Sequence, residues 1–188
     1  MQAFLVSTGT VALGEIGDKT QLLALLLAVR YRQPLPIIAG ILVATLANHA
    51  AAAALGGWAI TLVDPDWARW LAGLSFVAVA VWMLVPDTSD DSEDRDRRGL
   101  GVFGVTVIAF FLTEMGDKTQ VATIVLAAQF QSLVAVTAGT TLGMMIANVP
   151  IVLFGERAMD WLPMAWVRRI AALVFAIVGV LVVAGVGL

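Results

Sequence analysis

The chain has 188 residues, of which 60% are hydrophobic and only 13% charged, and its mean hydropathy is +0.93. That is too apolar for a soluble globular domain and points to a polytopic membrane protein. A net charge of -3, no cysteine and no basic patch with interleaved aromatics exclude a disulfide framework and a thiolate-held haem or iron–sulfur cluster, and leave nucleic acid without a recognition surface.

In chain order, six apolar stretches cover 3–29, 35–63, 67–85, 100–128, 133–154 and 167–186. About 20 residues cross a ~30 Å hydrocarbon core as a helix. None of the stretches alternates in polarity as barrel strands do. The expectation is an all-α polytopic membrane protein with six transmembrane helices. The first stretch lacks the positive flank of a signal peptide and is read as a retained helix. The long polar segment Pro-Asp-Thr-Ser-Asp-Asp-Ser-Glu-Asp-Arg-Asp-Arg-Arg-Gly is too charged to fold and reads as a solvated linker. It separates a first three-helix unit (1–86) from a second (100–188), with the linker itself at 87–99.

The two units repeat each other. Glu-Ile-Gly-Asp-Lys-Thr-Gln (Glu15 to Gln21) recurs 99 positions on as Glu-Met-Gly-Asp-Lys-Thr-Gln (Glu114 to Gln120), and Gly40/Gly139, Gly56/Gly155, Trp67/Trp166, Arg69/Arg168 and Phe76/Phe175 follow at the same spacing. Asn48 and Asn148 match only with a shift of one. Three helices per unit make the second unit enter the membrane from the opposite side, so the repeats are expected to be inverted, an arrangement typical of secondary transporters. Of the Lys and Arg residues in the connections, Arg30, Arg32, Arg95, Arg97, Arg98, Arg157, Arg168 and Arg169 fall on one side and only Arg69 on the other. The positive-inside rule then puts the linker in the cytoplasm and both termini outside a bacterial-type inner membrane.

Apart from the loops and helix ends, the charged residues left are Glu15, Asp18, Lys19, Glu114, Asp117 and Lys118, midway along the first and fourth stretches. Insertion there costs about 2.5 to 3.5 kcal/mol each, so such groups normally face a cavity, a partner or a substrate. On a continuous helix Glu15 and Asp18 share one face, as do Glu114 and Asp117, and four carboxylates would converge. Gly17 and Gly116 permit a close approach or a local distortion. Gln21 and Gln120 add neutral oxygens; Thr20 and Thr119 do as well, but from well off that face. Asn48 and Asn148 offer amide oxygens, or serve as interhelical glue. The donor set suits hard divalent cations such as Ca²⁺, Mg²⁺ or Mn²⁺. Crowding and desolvation also favour a protonated carboxylate, so the same site could trade metal for protons. Lys19 and Lys118, four residues after Glu15 and Glu114, could instead make each motif a self-neutralising ion pair. His49 reads as a packing residue or a proton relay.

The paired motifs resemble the duplicated E-x-G-D-[KR]-[TS] signature of the Gdt-type cation exchangers, over essentially the whole chain. The resemblance implies Mn²⁺/Ca²⁺ transport coupled to H⁺, with Glu15, Asp18, Glu114 and Asp117 as ligands, Thr20 and Thr119 as accessory positions, the metal as substrate, and no cofactor. Export of Mn²⁺ or Ca²⁺ from the cytoplasm is the expectation. The alternatives are export of small organic solutes such as amino acids and a non-transporting scaffold. No nucleotide-binding loop or catalytic fingerprint is present, so an enzyme is not expected. Apolar helix faces would permit a homodimer.

Overall fold

A computed structural model describes residues 1–84, 101–155 and 164–185, and among these residues the protein is helical with no strand. The charged linker at 87–99 and Arg157 lie outside the described residues. The helices are α1 (Gln2–Glu15), α2 (Lys19–Tyr31), α3 (Pro34–Ala59), α4 (Pro65–Met83), α5 (Gly101–Glu114), α6 (Lys118–Phe130), α7 (Leu133–Phe154) and α8 (Met164–Val183), with a 3₁₀ turn Ile60–Leu62 extending α3.

The first and fourth apolar stretches are therefore not continuous helices: each is broken within its charged motif. Among the described residues, two helices are by themselves long and apolar enough to cross a membrane, Pro34–Leu62 with 29 residues and Leu133–Phe154 with 22. Both follow a broken pair through a tight reversal. Arg32 (φ 52) and Gln131 (φ 48), 99 positions apart, end α2 and α6 in the left-handed conformation, and their backbone N–H groups donate to the carbonyls of Ala28 and Ala127.

The two halves pack crosswise. The α1 helix lies on α7 and α5 lies on α3. Gly139 sits against Phe4 and Ser7, and Gly40 against Phe103 and Thr106, so the two contacts are related residue by residue, Gly40/Gly139, Phe4/Phe103 and Ser7/Thr106, by the 99-residue spacing. In both contacts the numbering rises together: Gly143 meets Thr8 and Ala12 further along α1, and Asn48 Nδ2 donates to the Phe111 carbonyl further along α5. Each pair is thus parallel. The α4 and α8 helices run antiparallel, with Gly73 against Val183 and Gly179, and Phe76 against Phe175 at a ring-centroid separation of 6.1 Å.

Lipid tails are as apolar as leucine, so close backbone approach at small residues and dispersion, rather than water exclusion, hold such helices together. The outward faces match that reading. Leu26, Leu46, Leu74, Leu153 and Val180 are exposed, as are Trp58, Trp67, Trp70, Trp82 and Trp166. The polar side chains turn the other way: Thr20, Thr45, His49, Glu15, Glu114 and Asn148 have no more than trace exposure.

Candidate metal centre

The break in each motif is a turn that its residues dictate. The Asp18 N–H donates to the Glu15 carbonyl at 3.1 Å, Ile16 is extended (φ -67, ψ 117) and Gly17 has φ 85, the geometry of a type II turn. Only glycine takes that third position without strain. The second motif repeats it: Asp117 N–H donates to the Glu114 carbonyl at 3.1 Å and Gly116 has φ 77.

A new helix then starts at once, with Asp18 and Asp117 as N-caps in extended conformation. Asp117 accepts from Thr119 N–H at 3.2 Å. The glutamines close the start by reaching back: Gln21 Oε1 accepts from Gly17 N–H at 2.8 Å and Gln120 Oε1 from Gly116 N–H at 2.7 Å. This is a capping-box arrangement moved one residue outward. Gln21 and Gln120 therefore hold the break. Gln21 Nε2 also donates to the Ala147 carbonyl on α7 at 2.9 Å, tying the first break to the second half.

The break brings together what a straight helix would separate. One carboxylate oxygen from each of Glu15, Glu114 and Asp117 lies within 4.8 Å of the other two, and all three side chains are buried. Asp18, the fourth carboxylate of the sequence reading, is equally buried but stands outside this trio. Thr20 and Thr119 are not off the carboxylate face. Thr20 Oγ1 donates to Glu15 Oε2 at 2.7 Å, and Thr119 Oγ1 donates to Asp117 Oδ2 at 3.1 Å with a longer contact to Glu114 Oε2 at 3.4 Å. The turn resets the helical phase, which is why ideal helix angles misplaced them. Glu15 Oε1 and Glu114 Oε1 are buried and accept no hydrogen bond.

The lysines also depart from expectation. Lys19 pairs across the halves rather than with Glu15: its Nζ lies 3.4 Å from Asp117 Oδ1. Lys118 Nζ lies 5.9 Å from the centre of the Trp82 ring on α4. The amide nitrogens of Asn48 and Asn148 are engaged within the helices, while Asn148 Oδ1 is buried without a partner. Asn48 is engaged with Phe111, and Asn148 Nδ2 donates to the carbonyl of Met144 at 3.1 Å and contacts its Sδ at 3.0 Å. His49 is fully buried, and neither ring nitrogen has a hydrogen-bond partner.

The sequence profile described as the divalent cation/proton antiporter GDT1 matches residues 3–91 and 102–186, so both halves and both motifs fall inside it. The chain belongs to the GDT1 family. It is 50% identical over 93% of its length to a Vibrio cholerae protein named "Putative manganese exporter", of which it covers 87%. It is also 30% identical to GDT1-like protein 5 of Arabidopsis thaliana over 74% of this chain and 77% of that one, and 27% identical to a GDT1-like protein of Synechocystis over 83% and 84%. No solved structure matches it. Membership places the chain in a family of membrane antiporters of divalent cations.

The trio suits the cargo of such a family. Its donors are carboxylate oxygens with hydroxyls beside them, hard ligands for a hard divalent ion. It also stands at two helix interruptions, where discontinuous membrane helices characteristically bind ions.

Proposed function

We propose that this GDT1 protein exports Mn²⁺ from the cytoplasm in exchange for H⁺, with Ca²⁺ as the second candidate substrate, and that Glu15, Glu114 and Asp117 hold the ion while Asp18 caps and charges the site. The observation that carries the reading is the buried trio drawn from both halves, within 4.8 Å. Charge supports it. The two motifs hold four carboxylates and two ammonium groups, which leaves two negative charges in a low-dielectric interior. One divalent cation neutralises them, and so do two protons. Exchange between those two states spares the bundle an uncompensated buried charge, which is expensive.

The wider architecture belongs to the same proposal: six spans, two of them interrupted, in two inverted three-helix repeats, with the central linker cytoplasmic and both ends of the chain outside. The antiparallel packing of α4 on α8, equivalent helices of the two halves, supports inversion. So does the crosswise parallel packing of α1 on α7 and α5 on α3. Rocking of one half against the other would expose the trio to each side in turn. The organic-solute alternative needs a lysine to meet a solute carboxylate, and the Lys19 ammonium already lies 3.4 Å from Asp117.

The test is flux into proteoliposomes under an imposed pH gradient. Mn²⁺ movement should follow the gradient in the wild type and disappear in Glu114→Gln and Asp117→Asn. A wild type that carries neither Mn²⁺ nor Ca²⁺ in sealed vesicles would sink the proposal.

A further inference from the structure

Buried polar side chains almost always find hydrogen-bond partners, and the exceptions are where water or an ion belongs. Outside the two motifs, such exceptions among the described residues lie on α3 and α7, apart from Ser7 Oγ on α1. Thr137 Oγ1, Thr141 Oγ1 and Asn148 Oδ1 on α7, and Thr45 Oγ1 and both ring nitrogens of His49 on α3, are buried without a partner. Thr45, His49 and Asn148 are 0% exposed, Thr141 5% and Thr137 6%.

Their spacing is regular. Thr137, Thr141 and Asn148 are four and seven residues apart, one face of α7, and Thr45 and His49 are four apart on α3. The two helices pack against each other. The spacing that pairs Gly40 with Gly139 pairs His49 with Asn148, and because equivalent helices of inverted halves run antiparallel, Thr45 leads away from this pair in one direction and Thr141 and Thr137 in the other. Both rows abut the metal centre. Asn148 follows Ala147, whose carbonyl accepts from Gln21 Nε2, and His49 follows Asn48, whose amide donates to the Phe111 carbonyl, three residues before Glu114.

We propose that these five side chains line a file of water molecules reaching the carboxylate trio, along which protons travel while the metal ion takes another course. The chemistry separates the two cargoes. Hydroxyl, amide and imidazole groups donate and accept, as a proton-carrying hydrogen-bond chain requires. The rows contain no carboxylate, so they offer a divalent ion no charge compensation inside the membrane. Apart from the exposed Arg30 in the last turn of α2, the charged groups of the helices packed on α3 and α7, Glu15, Asp18, Lys19, Glu114, Asp117 and Lys118, all belong to the motifs at the middle of the file. The proposal rests on the exchanger reading above for its function, but not for its hydration.

Two comparisons test it. The chain has no cysteine, so Thr141→Cys and Leu142→Cys each introduce a single thiol, the second on an exposed position of the same helix. The cysteine thiolate, whose formation needs water, attacks a charged methanethiosulfonate reagent to form a mixed disulfide and release methanesulfinate; Thr141→Cys should react and Leu142→Cys should not. Thr45→Val and Thr141→Val keep side-chain volume and break no hydrogen bond between protein groups. Combined, they should abolish pH-driven Mn²⁺ flux and retain Mn²⁺/Mn²⁺ self-exchange without a gradient. An inert Thr141→Cys, unchanged pH-driven flux in the double valine variant, or loss of both transport modes would each overturn the proposal. A wild type without Mn²⁺ flux in either mode would instead remove the exchanger reading, and the labelling comparison would still decide whether the file holds water.

Discussion

Lys19 is the residue whose role changed most between sequence and structure. The favourable i,i+4 spacing suggested a pair with Glu15, yet its ammonium lies 3.4 Å from Asp117 of the other motif. In that position it competes with any cation for the same carboxylate. Replacing it by Gln removes one positive charge from the centre and should tighten apparent Mn²⁺ affinity about tenfold, ~1.4 kcal/mol, while slowing turnover because release loses its competitor. The concentration dependence of initial flux separates the two effects; unchanged affinity would show that the pair is only structural. Gly116 makes a second residue-scale case. A Cβ there would meet nothing within 4 Å, but φ is 77, so Gly116→Ala costs only the left-handed conformation, about 1–2 kcal/mol. Gly9, which also has open space and lies inside α1, should gain up to ~1 kcal/mol on the same change. Thermal unfolding in detergent compares them, and equal shifts would argue that the break is not needed for folding.

At the scale of elements, the broken helix was legible in part. The motif itself was legible, because six ionisable residues in otherwise apolar stretches stand out. Its conformation was missed, although the signal was present: Gly-Asp-x-x-Gln is a turn glycine, an N-cap and a back-bonding residue three positions later. Hydropathy obscured it, since apolar residues continue on both sides and a membrane span is expected to be continuous. The cost was concrete. Straight-helix angles put Thr20 and Thr119 off the site and made four carboxylates equivalent, whereas the turn delivers both hydroxyls to the carboxylates and leaves Asp18 outside the trio. Helix contact offers its own prediction. A Cβ on Gly56 would overlap the Ile124 carbonyl of α6, whereas one on Gly57 would meet nothing. Gly56→Ala should therefore destabilise by about 1–3 kcal/mol through overpacking, and Gly57→Ala should not; similar melting temperatures for the two would contradict this packing of α3 on α6.

For the whole molecule, the 99-residue spacing carries most of what the sequence offers. It pairs Gly40 with Gly139 and Phe76 with Phe175, and the structure brings each of these to an interhelical contact. The one-residue shift used to match Asn48 with Asn148 is unnecessary on that spacing, which sets His49 against Asn148 and Asn48 against Ala147. Orientation rests on arginine asymmetry and can be checked directly. A phosphatase reporter active only outside the cell should work when fused after Leu188 and fail when inserted in the central linker; the reverse pattern would invert the topology and the direction of export.

The central claim is that one divalent ion sits between the two helix breaks. Anomalous diffraction from crystals grown with Mn²⁺ locates the ion without relying on activity. A single peak within coordination distance of Glu15, Glu114 and Asp117, lost in Glu114→Gln, is the expected result. A peak bound by other residues, with the trio engaged only by Lys19, would contradict it.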